Sequence, residues 1–362
     1  MPSIIAPATV LVTGANGFIG SWVCKTFLEN GYHVRGTVRS SYKGEYLSEI
    51  FKEYGERFVC DIVEDITMPG AFDKAVEGVQ AVIHTASPAI LVIDDPQDLI
   101  GPAVDGTLGL IHSINTCGKE VKRLVCTSSI SAIIDPTKPP GGVYTDDDWN
   151  PCSVKEVELK GRDAKWDKYR ASKILAEKAA WDEAEKQDRW DLVVINPSNN
   201  LGPVIHQVTE PSELNTSIQR FYSVISAKDE NLSPDILLMP DVSFGDVRDV
   251  GLAHMRAVEC EAAGGHRFLT SSGAYTWQDA LDVVPAQYPK PLGSPGSGKL
   301  VKHSVYDATK ASRILGIKFK SLEEIINDTV FDLHRRGWLP ARPEQKMAPS
   351  SEPVQPNKIL LK

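Results

Sequence analysis

The sequence predicts an α/β fold: a Rossmann-like, doubly wound parallel sheet followed by a smaller α/β substrate domain. Three observations carry that expectation. Strand and helix patterns alternate through the first 195 residues, the strands are almost wholly apolar, and a glycine triplet separates the first strand from the first helix. Strands buried on both faces belong to parallel sheets, because their crossover helices cover both sides.

The first strand is Val10-Leu11-Val12, and Gly14, Gly17 and Gly20 follow it. Phe18 to Leu28 then has helical periodicity. Glycine lets the chain turn tightly and come close to a pyrophosphate, while the helix N-terminus supplies unpaired N–H groups and partial positive charge. Gly14, Asn16, Gly17, Phe18, Ile19 and Gly20 are therefore the expected phosphate cradle.

Further units follow in order. Tyr32–Val38 is a strand, Lys43–Tyr54 a helix, Arg57–Cys60 a strand and Ala71–Val76 a short helix. Ala81–His84 is a strand, Gln97–Cys117 a long helix and Arg123–Thr127 a strand. Trp166–Gln187 is a helix and Leu192–Asn196 a sixth strand. Beyond Pro197 come prolines and short segments, with helices at Asp246–Glu261, Thr276–Val284, Ala308–Leu315 and Leu322–Arg335, and a strand at Arg267–Thr270. The domains read as 1–195 (with 241–262 packing on it), 196–340 for substrate, and a proline- and serine-rich tail over 341–362.

Composition narrows the function. The 362 residues are 42% hydrophobic and 24% charged, with a net charge of −9 and a pI near 5.5. There is no basic block for nucleic acid or anionic lipid, no long apolar span and no basic-flanked leader, so a cytoplasmic protein is expected. The six cysteines are scattered without a CxxC pair, which reads as free thiols and no metal. A monomer or homodimer acting on a small molecule is the expected assembly.

Two further motifs suggest chemistry. Arg39 ends the second strand, where an arginine accommodates the 2′-phosphate of NADP and an acid would select NAD; Lys43 stands nearby. NADPH is therefore the expected cofactor. Tyr169 and Lys173 lie four apart on a helix, so they share a face. The ammonium should favour the phenolate, drawing the tyrosine pKa from about 10 towards neutrality and making it a proton donor to a carbonyl oxygen. The hydroxyls of VCTSSIS (Val125–Ser131) lie where ligands bind, beyond a strand's carboxyl end. His84 is expected to pack near the cofactor, Asp146–Asp148 to be a solvated charge run, and Trp166 and Trp181 to pack.

Together TGANGFIG, TSS and YxxxK forty residues later resemble the extended short-chain dehydrogenase/reductases, over Ala8 to Leu339. HTASP, DPQDLIGPAVDGTLG, NPSNNLGP and DVRDVGLAH add to the likeness. Within the family the chain looks most like the dihydroflavonol-reductase-like branch, especially fungal and yeast aldehyde and ketone reductases. That resemblance implies Ser129, Tyr169 and Lys173 as catalytic residues. It implies Asp65 and Ile66 at the adenine, Thr85, Ala86, Ser87 and Thr127 lining the cofactor, and Pro197 and Ser198 beside the nicotinamide. Pro88, Ile90, Ser131, Asn199, Val204 and Phe221 are candidates for a mainly apolar substrate pocket. AKWDKYRASK departs from the NWYCYGK of cinnamoyl-CoA reductases, which argues against a CoA thioester. Ser131 to Ile134 lack the asparagine of plant flavonoid reductases. The expected activity is NADPH-dependent reduction of aldehydes and of aromatic or branched ketones and ketoesters. The alternatives are a 3β-hydroxysteroid-type dehydrogenase, a sugar-nucleotide epimerase and a non-catalytic NADPH-sensing protein.

Overall fold

The computed structural model describes residues 3–87, 94–240 and 242–339; Pro88, Ile90 and the 341–362 tail lie outside them. Seven strands form one parallel sheet: β1 (Thr9–Thr13), β2 (His33–Val38), β3 (Phe58–Ile62), β4 (Ala81–His84), β5 (Arg123–Thr127), β7 (Asp191–Pro197) and β10 (Arg267–Thr270). β6 (Val143–Tyr144), β8 (Asn199–Leu201), β9 (Val242–Asp246), β11 (Ala274–Tyr275) and β12 (Val305–Tyr306) make two small accessory sheets. The helices are α1 (Phe18–Glu29), α2 (Ser41–Ile50), α3 (Gln97–Thr116), α4 (Ser153–Lys160) and α5 (Asp167–Ala184). They continue with α6 (Thr216–Ile225), α7 (Pro234–Leu237), α8 (Val247–Glu259), α9 (Trp277–Asp282) and α10 (Leu322–Arg335).

The sheet order is β10-β7-β5-β4-β1-β2-β3, with Val10 paired to Val34 on one side and Ala81 on the other. The order reverses between β1 and β4, the switch point where a doubly wound sheet opens its ligand crevice. Alternation along the strands sorts the core into two layers. Val10, Val12, Ile83, Val125 and Ile195 meet Val23, Phe27 and Leu28 of α1 and Ala253 and Ala257 of α8. Leu11, Val82, Leu124 and Val194 meet Leu110, Ile111 and Ile114 of α3. A third core joins Phe18 and Trp22 of α1 to Phe221, Phe244, Trp277, Ile325 and Leu333. α1 therefore packs in both parts of the molecule.

Some elements differ from expectation. Ala71–Val76 is a series of turns; Gly70 and Gly78 bracket it at positive φ, and Asp73 is committed to a 2.6 Å bond from Ser113 Oγ. Arg267–Thr270, assigned to the substrate part, pairs with β7 and closes the main sheet. Asp246 belongs to a strand and caps α8 by accepting from the Arg248 N–H at 2.8 Å. Asp146 is not solvated: it is 3% exposed and accepts from the Leu269 N–H.

Candidate active site

The carboxyl ends of β1, β4, β5 and β7 bring the expected site residues together. β1 runs into Gly14 at φ +65°, and a methyl there would lie 2.9 Å from Ala86 Cα. Only glycine lets this turn lie against the loop after β4. Gly17 is the exposed N-cap of α1, with no side-chain cap and no acid in the first turn. The N–H groups of Phe18, Ile19 and Gly20 thus open onto the crevice with the positive helix end. Asn16 is partly exposed beside them.

The β4 end is held by His84. Its Nδ1 is 2.8 Å from Thr13 Oγ1, which in turn accepts from the Ala86 N–H at 3.1 Å, and Thr85 Oγ1 donates to Thr13 O at 2.5 Å. Burial, with the nearby Lys173 charge, draws the His84 pKa down to about 3, so the ring is neutral. It positions the strand-end loop.

Arg39 is exposed, and neither it nor Lys43 has an ion-pair or hydrogen-bond partner among the described residues. Ser40 is the N-cap of α2 but caps it with no side-chain bond. Two cations and an uncapped helix start suit a phosphate. Asp65 is exposed; its carboxylate accepts from Thr67 N–H and Oγ1, which lower its pKa first, with Arg39 adding a smaller effect. Ile66 packs at Gly106 of α3, where a methyl would overlap it at 2.6 Å.

Ser129 begins the turn after β5, and its Oγ accepts from Ser131 N–H at 3.1 Å. Tyr169, on the first turn of α5, lies beside Ser129, whose hydroxyl lowers its pKa. Lys173, one turn on, donates from Nζ to Ser87 Oγ at 2.9 Å and lies 5.8 Å from the Tyr169 ring centroid. Burial raises the Tyr169 pKa and the Ser129 hydroxyl lowers it in part, so the net shift is upward, opposite to the sequence expectation. The ammonium is turned to Ser87, and burial draws it down to about 8 against the opposing pull of Glu177.

The remaining expected residues lie at the ends of β5 and β7 and in the segments beyond them. The Thr127 hydroxyl is 2.7 Å from His254 Nε2, whose Nδ1 donates to Val250 O, so the hydroxyl is used inside the protein. Pro197 ends β7, and Ser198 Oγ beyond it is buried without a partner among the described residues. Ser131 O accepts from Asn150 Nδ2 at 3.1 Å, and Asn199 starts β8. Val204 and Phe221 are 2% and 0% exposed and pack in the third core.

Sequence reading missed Glu177. It is fully buried on α5, four residues after Lys173, and accepts from Ser128 Oγ at 2.5 Å, Asn196 Nδ2 at 3.0 Å and Arg267 Nε at 2.6 Å. Asn196 Nδ2 also donates to Ser129 O at 3.2 Å. The Arg267 guanidinium stacks 3.9 Å from the Trp149 ring centroid and donates to Asp146 O and Asp148 O. This network fixes the turn that presents Ser129. The legible signal was helical spacing, since Tyr169, Lys173 and Glu177 recur every four residues. Among the described residues no group of three or more His, Cys, Asp or Glu could hold a metal, and no helix is long and apolar enough to cross a membrane.

Residues 10–269 match the NAD dependent epimerase/dehydratase family. The NADPH-dependent methylglyoxal reductase GRE2 of Saccharomyces cerevisiae is 34% identical, over 89% of this chain and 96% of its own. The ketoreductase azaE of Aspergillus niger is 34% identical over 89% and 96%. The crystal structure of Gre2 from Candida albicans in complex with NADPH superposes with a TM-score of 0.82, at 35% identity, covering 91% of this chain and 99% of that one.

Proposed function

The chain belongs to the NAD dependent epimerase/dehydratase family, and from that membership we propose that it is an NADPH-dependent carbonyl reductase, taking aldehydes and ketones to alcohols. The relatives named for NADPH-dependent methylglyoxal reduction and ketoreduction support this reading. The observation that carries it is the set of Ser129 after β5 with Tyr169 and Lys173 on α5, beside a glycine turn that side chains would fill.

The residues present fit the cofactor. The open first turn of α1 suits a pyrophosphate, and Arg39 and Lys43, without ion-pair partners among the described residues, suit the 2′-phosphate that distinguishes NADPH. Bound there, NADPH supplies a hydride. The protein's part is to hold the carbonyl and manage its oxygen. Ser129 and Tyr169 hydrogen-bond that oxygen and stabilise the negative charge that develops on it. Tyr169 then gives up its phenolic proton. The high pKa that burial imposes keeps the phenol protonated until the oxygen needs it. Lys173 would hold a ribose hydroxyl of the bound cofactor with the ammonium that now donates to Ser87 Oγ.

The test is NADPH oxidation against a panel of aldehydes, ketones and ketoesters, with Tyr169→Phe alongside. The variant should lose roughly 10²–10⁴-fold in turnover, the worth of a positioned acid, while NADPH binding is nearly unchanged. Near-parental turnover would assign proton delivery to another group.

A further inference from the structure

We propose that Arg220 makes the entrance of this site a carboxylate reader, so that the favoured substrates are oxo acids, carbonyl compounds carrying a carboxylate. The proposal rests on the carbonyl-reductase reading and names its substrate class.

The argument begins with α6. Ile218, Phe221, Val224 and Ile225 bury one face of this helix in the third core. Arg220 leaves that face and is half-buried. Its guanidinium carbon lies 5.6 Å from the centroid of the Trp166 ring and 5.8 Å from that of Trp277. Two indoles from separate parts of the chain therefore flank one cation. Ring faces attract a guanidinium but accept none of its five N–H donors in plane. No carboxylate or carbonyl among the described residues accepts from it either. Burial lowers its pKa with no anion to offset the effect. A desolvated cation without a partner is costly, and a carboxylate matched to its fork relieves that cost.

Location makes this a substrate feature. Trp166 immediately precedes α5, three residues before Tyr169. Residues three apart on a helix share a face, so Trp166 stands on the face of α5 that carries Tyr169. A molecule whose carbonyl meets Tyr169 and which extends along this face of α5 would meet Trp166 and the cation beside it, and a series of chain lengths measures the span. Trp166 is 48% exposed, which leaves its ring open to that molecule, although the sequence reading expected it to pack. Gln219 adds a second polar group with unmet capacity: its Oε1 is buried without a partner among the described residues. The apolar residues expected in the pocket, Val204 and Phe221, are meanwhile in the core.

The experiment compares matched pairs on the NADPH-loaded enzyme: pyruvate, acetoacetate and 4-oxopentanoate, each against its ethyl ester. At one chain length the acid should exceed its ester in kcat/KM. Arg220→Leu should lower kcat/KM for that acid about thirtyfold or more relative to the ester, the scale of a truncated buried charge pair. Arg220→Lys should fall between. Binding of the acids to the NADP+ complex, read by tryptophan fluorescence, should weaken in parallel. Esters preferred throughout, or an equal loss on acid and ester in Arg220→Leu, would overturn the proposal. If no carbonyl is reduced at all, the reductase reading fails instead, and the fluorescence titration still decides whether Arg220 binds carboxylates.

Discussion

Lys173 is the residue whose charge is most finely set. Its ammonium is drawn down to about 8 by burial, well below the ordinary 10.5. A ribose oxygen accepting from it favours the charged form, so cofactor binding should raise that pKa and take up a proton. NADPH affinity should then fall as pH rises through 8. Calorimetry at pH 8.5 in buffers of different ionisation heat checks this. Zero uptake, or the same uptake in Lys173→Met, would show that the ammonium does not meet the cofactor. Glu177 sets the matching geometry. Glu177→Gln keeps the shape but leaves the Arg267 guanidinium without its buried counter-charge. We expect a loss of about 3 kcal/mol in stability, as for other broken buried pairs, together with reduced turnover as the Ser129 turn loosens. Denaturant titration and steady-state kinetics measure the two. Tyr169 and Lys173 were legible because their spacing carries a known chemistry. The same spacing puts Glu177 on their face, but its role, like that of Arg220, comes from partners that approach from other parts of the chain.

At the scale of elements, α1 carries the cofactor end and both neighbouring cores. Its glycines have different duties. A methyl at Gly20 would overlap Gly14 O, whereas at the exposed Gly17 it would lie 3.3 Å from that atom. Gly17→Ala should therefore leave stability within about 0.5 kcal/mol yet weaken NADPH binding, because the methyl meets the cofactor rather than the protein. Gly20→Ala should cost about 1–3 kcal/mol through overpacking and impair binding as well. Thermal melts with and without NADPH separate the two cases, and a Gly17→Ala protein that binds normally would displace the cradle. α8 can approach α1 because Gly251 lies against it: a methyl there would be 2.7 Å from Thr26 Oγ1. The parallel strands were readable as unbroken apolar runs. β9 and α6 were not, since Val242–Asp246 ends in the residues that start α8, and α6 lies among proline-rich loops.

Across the whole molecule, three buried histidines remain neutral. Burial draws His84 to about 3, and His206 and His254 to about 4, from an ordinary 6.5. The unfolded chain protonates these groups below pH 6.5 and the folded chain does not, so stability present above 6.5 is lost as pH falls towards 4. Each contributes up to about 1.4 kcal/mol per pH unit. Denaturant titrations between pH 7 and 5, before most carboxylates titrate, should show the slope, and a flat profile would mean that the rings accept protons in place. The sheet has an equally global consequence. Its outer strand is Arg267–Thr270, and Arg123 on β5, fully buried, reaches the carbonyls of Ala257 and Cys260 at the end of α8 as well as Asp191. A ribosome that has delivered the first 198 residues has therefore made every motif of the cofactor cradle, but not the helix that covers α1 or the strand that covers β7. Until some seventy further residues emerge, the nascent chain exposes an apolar helix face and an open sheet edge. Synthesis of this protein thus has a late vulnerable interval, and a stop codon inside it should yield an aggregating fragment rather than a small working cofactor-binding domain.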